Sequence, residues 1–154
     1  MIVRRNKLPF RELFSETIKI NNEIYLKKSG YSFIAKFLRR FKRYRDSSNR
    51  FINFDIYWKN SLAGYLQVYE ESLEEVNLMW AAVNEKYQGN KIFEQVLLFL
   101  FKFFAELGYK EVTLEVPGNA PAAKHIYQKL GFKEIEYLGD DQLFEGLTKM
   151  KKKF

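Results

Sequence analysis

The sequence predicts a single α+β domain spanning residues 1–154, with a mixed, mostly antiparallel central sheet and helices on its flanks. Three observations carry this reading. A length of 154 residues suits one domain with a sizeable core. Two alternating, aromatic-rich runs, Phe51 to Trp58 and Leu62 to Tyr69, flank Lys59-Asn60 and predict an antiparallel hairpin. A strand from Glu74 to Val83, a helix from Asn90 to Leu107 and a strand from Glu111 to Val116 make a β–α–β unit, which supplies a parallel neighbour pair.

The elements follow in order. Ile2 to Leu8 reads as a short strand ended by Pro9. From Phe10 to Ile20, the positions Phe10, Leu13, Phe14, Thr17 and Ile18 share one helical face, and Asn21-Asn22 ends that helix. Ser29-Gly30 opens a new element. Between Tyr31 and Tyr44, Phe33, Ile34, Phe37, Leu38, Phe41 and Tyr44 fall at helical spacing, with Lys36, Arg39, Arg40, Lys42, Arg43 and Arg45 in most of the remaining places. Asp46 to Asn49 is a polar loop, and Glu70-Glu71-Ser72 a turn. The helix from Asn90 is apolar on most sides, which predicts burial. Gly108 ends it. Pro121 to Leu130 is a second helix, stopped by Gly131. Phe132 to Leu138 and Leu143 to Met150 pair around Gly139-Asp140-Asp141, and Lys149 to Lys153 reads as a frayed, solvated end.

Composition removes several chemistries. The chain has no cysteine, so disulfides, thiolate metal sites and a cysteine nucleophile are excluded. Its single histidine, His125, rules out a multi-histidine metal site within one chain. Arg4, Arg5 and Lys7 interrupt any apolar leader, and the longest apolar runs, Leu78 to Val83 and Val96 to Phe101, are too short to span a bilayer. A cytoplasmic protein is expected. The net charge of +7 is uneven: residues 1–50 hold 14 Lys/Arg against 4 Asp/Glu, and residues 51–154 hold 12 against 15. The first third therefore suggests an anionic partner.

The chemistry concentrates between Val76 and Phe132. The strand Val76 to Val83 empties through Tyr87-Gln88-Gly89-Asn90-Lys91-Ile92-Phe93 into a helix start. Backbone N–H groups unpaired at such a start, with the helix dipole, bind phosphate. A second strand-to-helix unit carries Asn119-Ala120-Pro121-Ala122 and then Tyr127, which can give or take a proton. A diphosphate cradle beside a proton donor suggests transfer chemistry on a phosphate-bearing cofactor.

The Tyr87-Gln88-Gly89 turn after a strand, followed by Tyr127-Gln128-Lys129-Leu130-Gly131-Phe132, resembles the GNAT superfamily of N-acetyltransferases. The resemblance covers roughly residues 61–138 and implies an acyl-CoA N-acyltransferase-like fold, with acetyl-CoA as cosubstrate and no metal. It implies that Gln88, Gly89, Asn90, Lys91, Ile92 and Phe93 hold the diphosphate, and that Ala81, Ala82 and Val83 pair with the pantetheine arm. The family pattern has small residues where this chain has Lys91 and Phe93; a side chain there narrows the approach to the backbone, and Lys91 offers an ammonium instead. Tyr127, four residues before Gly131, takes the place of the general acid that protonates the departing thiolate. Asn119 stands eight residues before Tyr127, against a usual seven, as a cofactor contact or a plain turn residue. Glu75, thirteen residues before Gln88, is the candidate base, or a solvated strand end among Glu70, Glu71 and Glu74. His125 reads as a surface residue, since two helical positions turn it about 200° from Tyr127.

The resemblance therefore implies acetyl transfer to an amine acceptor by direct attack in a ternary complex. The acceptor is anionic if the basic helix at 36–45 forms its wall; that helix otherwise holds nucleic acid or an anionic membrane surface, or is only the solvated face of an amphipathic helix. Two rivals stay open: a degenerate acyl-CoA-binding or regulatory protein of the same fold, and a protein that binds or modifies nucleic acid through its basic first third. A homodimer is a further expected partner arrangement.

Overall fold

The computed structural model describes residues 8–29, 50–139 and 146–154. The strand expected at Ile2 to Leu8, the basic helix at Tyr31 to Tyr44 and the loop at Asp46 to Asn49 lie essentially outside the described residues. Eight strands form one sheet in the order β1-β2-β3-β4-β5-β6-β8-β7. They are β1 Thr17–Lys19, β2 Ile24–Lys28, β3 Phe51–Trp58, β4 Ser61–Glu70, β5 Glu75–Val83, β6 Glu111–Val116, β7 Lys133–Gly139 and β8 Leu147–Lys153. Two α-helices stand among the described residues, α1 Ile92–Glu106 and α2 Pro121–Lys129. The neighbours β5 and β6 are parallel, and every other pair is antiparallel.

The β3–β4 hairpin forms where alternation placed it. Lys59 and Asn60 both take positive φ, 48° and 66°, in a two-residue turn whose twist matches that of the strands. Strand β6 and helix α2 also match their expected places. The helix expected over Phe10 to Ile20 does not form. Phe10–Leu13 is a single 3₁₀ turn, and Thr17–Lys19 pairs with Tyr25–Lys27 as an edge strand. One turn already buries Phe10 and Phe14, whose rings meet edge-on at 5.1 Å. The β-branched Thr17 and Ile18 then suit the sheet better than a helix. Asn21 turns the chain between β1 and β2, its Oδ1 accepting from the Glu23 and Ile24 N–H groups at 2.8 and 2.9 Å.

The lysine-rich tail is also not a frayed end. β8 lies between β6 and β7, with Lys153 opposite Glu111 and Lys149 opposite Glu115 on one side and Glu136 on the other. Lys151 Nζ lies 3.3 Å from Glu111 Oε1, and Met150 is fully buried. Opposite charges facing across strands support the pairing.

Ile92, Val96, Leu97, Leu100 and Phe104 of α1 join Leu26, Phe54, Ile56, Leu66, Val76 and Val112 of the sheet in one core. The feature that positions the site is a divergence within the sheet. β5 and β6 pair from Glu75↔Glu111 to Leu78↔Leu114 and no further. Beyond that, β6 follows β8 and β5 follows β4. The β4–β5 register shifts at the same place: Leu78 faces Val68 and Trp80 faces Gln67, leaving Met79 as an extra residue. Such a bulge bends its strand. Among the described residues, Ala81 to Val83 thus pair with a strand on the β4 side only.

Candidate active site

The divergence opens a cavity of about 590 Å³. Ala81, Ala82 and Val83 line one side of it. Tyr87, Gln88, Gly89 and Lys91 to Glu94 line a second, and Asn119 to Ala123, Ile126 and Tyr127 a third. Both helix starts therefore border the same space. Lys91 is the cap residue of α1, in the left-handed region at φ 54° and ψ 26°, and no side chain caps that start among the described residues. Ala120 precedes α2, Pro121 holds its first turn, and no side chain caps it either. The N–H groups of each first turn have no intrahelical partner, and their dipoles favour an anion. Gly89 has φ 92°, and an added Cβ there would meet open space, so torsion and not room selects glycine.

The loop from β5 to α1 is shaped by side-chain amides. Asn84 Oδ1 accepts from Lys86 N at 3.0 Å, and Gln88 Nε2 donates to Val83 O at 3.2 Å. Gly64 of β4 faces Val83, and a Cβ on it would overlap the Ala82 carbonyl oxygen. The exposed end of β5 therefore sits against bare backbone.

Tyr127 is 8 % exposed. Its ring packs edge-on against Phe93 at 5.8 Å and Phe132 at 5.6 Å. Burial pushes the phenol up, well above the ordinary tyrosine range, so it stays protonated at neutral pH. Glu94, which borders the cavity, lies 3.6 Å from Lys129 at the end of α2.

Ten of the twelve residues expected at the site line this cavity: Ala81, Ala82, Val83, Gln88, Gly89, Lys91, Ile92, Phe93, Asn119 and Tyr127. The side chain of Asn90 does not. It donates to Tyr87 O at 2.9 Å and borders a separate polar pocket with Asn21, Asn22, Glu23, Ile24, Trp58 and Gln95. Glu75 is also outside the cavity. It stands at the paired end of β5, where Thr113 Oγ1 donates to its Oε2 at 2.9 Å. His125 is exposed. Tyr87, Glu94, Ala120 to Ala123 and Ile126 also line the cavity though the sequence reading gave them no role, and Pro121 signals the helix start that brings the last five there. Among the described residues no cluster of three or more His, Asp or Glu could hold a metal ion. No described helix is long and apolar enough to cross a membrane.

A family model described as Acetyltransferase (GNAT) family matches residues 12–132. The chain belongs to the GNAT acetyltransferase family. Solved structures agree on the GNAT fold. A GNAT family acetyltransferase from Elizabethkingia anophelis with acetyl-CoA bound superposes with TM-score 0.69 at 16% identity, over 87% of this chain and 100% of that one. The spermidine N-acetyltransferase from Vibrio cholerae, in complex with CoA and spermine, gives TM-score 0.67 at 13% identity, over 86% and 96%. RimL, a ribosomal L7/L12 alpha-N-protein acetyltransferase in complex with coenzyme A, gives 0.71 at 12% identity, over 90% and 98%. No curated protein sequence matches the chain. In this GNAT chain the departures at Lys91 and Phe93 have different outcomes. Lys91 adopts a left-handed turn despite its Cβ, whereas Phe93 turns its ring onto Tyr127.

Proposed function

We propose that this chain transfers an acetyl group from acetyl-CoA to an amine by direct attack in a ternary complex. One observation carries the reading: two uncapped helix starts and a buried tyrosine border the gap where β5 leaves β6. Acetyl-CoA, as cosubstrate, supplies the thioester that the amine attacks. The N–H groups from Gly89 to Phe93 cradle the diphosphate, with the Lys91 ammonium beside them. The free backbone edge of Ala81 to Val83 pairs with the pantetheine amides, and Asn119 contacts the arm from α2. As the nitrogen–carbon bond forms and the carbon–sulfur bond breaks, Tyr127 donates its hydroxyl proton toward the leaving sulfur. With no cysteine in the chain, a thiol acyl-enzyme has no nucleophile.

An ammonium acceptor must first lose a proton. Glu75 is the candidate to receive it. It lies three residues before the last β5–β6 pair, roughly 10 Å along the strand, so the transfer runs through water. Glu75→Gln should then slow turnover several-fold while leaving coenzyme affinity unchanged; an unchanged rate sends that proton directly to solvent.

Calorimetry with acetyl-CoA, followed by free-thiol detection over a panel of amines, tests the whole reading. The panel should include acidic peptides and nucleotide-linked amines, because the surplus of Lys and Arg in residues 1–50 favours an anionic acceptor. Absence of coenzyme binding would sink the reading. Binding without turnover on any acceptor would favour the rival that Phe93 suggests, a coenzyme-binding protein without catalysis. A salt-dependent complex with RNA or DNA would favour a nucleic-acid partner for the basic first third.

A further inference from the structure

We infer that Gln95 and Asn21 hold the diphosphate loop in shape, supplying through side-chain amides what a glycine at position 91 would supply through its backbone. This rests on reading the 590 Å³ cavity as the coenzyme site.

The starting point is a conflict. Lys91 occupies the left-handed region at φ 54° and ψ 26°. A residue with a Cβ is disfavoured there, because the Cβ crowds a carbonyl oxygen. The family pattern places a small residue at this position, which this chain lacks. Yet the loop keeps the shape that borders the cavity, so something outside Lys91 must hold it.

The holding group is one turn further on. Gln95 N donates to Lys91 O at 3.1 Å, as the first turn of a helix requires. Gln95 Nε2 donates to the same carbonyl at 3.1 Å and to Asn90 O at 3.3 Å. A carbonyl has two lone pairs and can take both donors. The side-chain amide thus grips the two peptides that flank the left-handed residue.

The orientation of that amide is set from elsewhere in the chain. Asn21 Nδ2 donates to Gln95 Oε1 at 2.9 Å. Asn21 is itself fixed, since its Oδ1 accepts from the Glu23 and Ile24 N–H groups where the β1–β2 turn closes. With its oxygen engaged by a donor, the Gln95 amide must present its NH₂ to the loop. On the other side, Asn90 Nδ2 donates to Tyr87 O. Three side-chain amide contacts therefore reach the turn and a fourth orients Gln95, and none of their donors lines the cavity. Gln95 borders the separate polar pocket of about 330 Å³ behind the loop, so it acts on the coenzyme only through the backbone it positions.

The test is a double-mutant cycle read by titration with CoA and with pantetheine, which lacks the diphosphate. The proteins are wild type, Gln95→Met, Lys91→Gly and the double variant, each shown by thermal melting to be folded. Met keeps the length and helix preference of Gln and removes its hydrogen bonds. With Lys91 in place, Gln95→Met should weaken CoA binding about fivefold to tenfold, the worth of one or two net hydrogen bonds, and leave pantetheine unchanged. In the Lys91→Gly background the same change should cost less than about twofold, because glycine takes the turn unaided. The cycle cancels the lost ammonium, which is absent from both Lys91→Gly proteins. Asn21→Ala should reproduce a smaller part of the loss. The inference is overturned if Gln95→Met costs the same in both backgrounds, weakens CoA and pantetheine alike, or changes nothing. A folded wild-type chain that binds neither ligand overturns the coenzyme reading as well, which is a separate and recognisable failure.

Discussion

At its first end β5 is held on both sides, by β4 from Val76 and by β6 from Glu75 to Leu78. At its other end, Ala81 to Val83 keep β4 and lose β6. The held end is joined by buried polar side chains: Asn77 Nδ2 donates to Thr113 Oγ1 and O at 3.1 and 3.3 Å, and Thr113 Oγ1 donates to Glu75. Asn77 is 5 % exposed and Thr113 fully buried. The free end has small side chains, a glycine seat on β4 and two helix starts. The difference shows what a slot in a sheet requires. A bulge at Met79 spreads the strands, and a cross-strand polar latch one pair inside the last one fixes where spreading begins.

Changes at the free end should act on function most. Tyr127→Phe removes the proposed proton donor and keeps the ring against Phe93 and Phe132. Turnover should fall on the order of 10²-fold, with CoA affinity held within about twofold. Steady-state kinetics beside calorimetry would show it; an unchanged rate would leave Tyr127 as packing alone. Gly64→Val is the next largest. The new Cβ overlaps the Ala82 carbonyl oxygen and approaches the Val83 backbone, so the free end of β5 must move. The strain should cost about 1–3 kcal/mol in denaturant unfolding, and CoA binding should weaken about tenfold or more as the proposed pantetheine edge shifts.

The held end should respond in the opposite sense. Thr113→Val keeps the shape and removes one hydroxyl from the latch. Asn77 loses an acceptor and Glu75 a donor, which should lower stability by about 1–3 kcal/mol. Coenzyme affinity should stay within about threefold, because the latch stands behind the cavity. A tenfold loss of CoA affinity with little loss of stability would reverse the roles assigned to the two ends.

The sequence was legible where its signals were local. Alternation placed the β3–β4 hairpin, and apolar spacing with Gly108 placed α1. The glycine turn and Tyr127 brought ten expected residues to one cavity. Reading failed where the deciding partner was distant. Phe10, Leu13 and Phe14 satisfy one 3₁₀ turn as well as a helix, and only pairing with β2 makes Thr17 to Lys19 a strand. The lysines of β8 read as solvated because Glu111, Glu115 and Glu136, which face them, lie on other strands. Gln95 was missed because Asn21, which orients its amide toward the loop, is 74 residues away. The polar latch is invisible for the same reason: Asn77 and Thr113 meet only once β5 and β6 pair.

The smallest effect is one of pH, and it separates the two ends again. Burial raises the Tyr127 phenol above its value in the unfolded chain, which is near 10. Between those two values the folded state keeps a proton that the unfolded state releases. Stability must then fall as pH rises through that window, and the contribution is fully present below it. At neutral pH this difference is silent. Wild type should therefore lose stability between pH 8 and pH 11 by more than Tyr127→Phe does, because phenylalanine has no proton to release. Thr113→Val, which carries no titrating group, should run parallel to wild type, displaced by its latch cost at every pH. Urea unfolding of the three proteins at both pH values would resolve the slopes. Parallel lines for wild type and Tyr127→Phe would mean that the phenol reaches solvent in the folded chain, and that the free end of β5 is wetter than its packing against Phe93 and Phe132 implies.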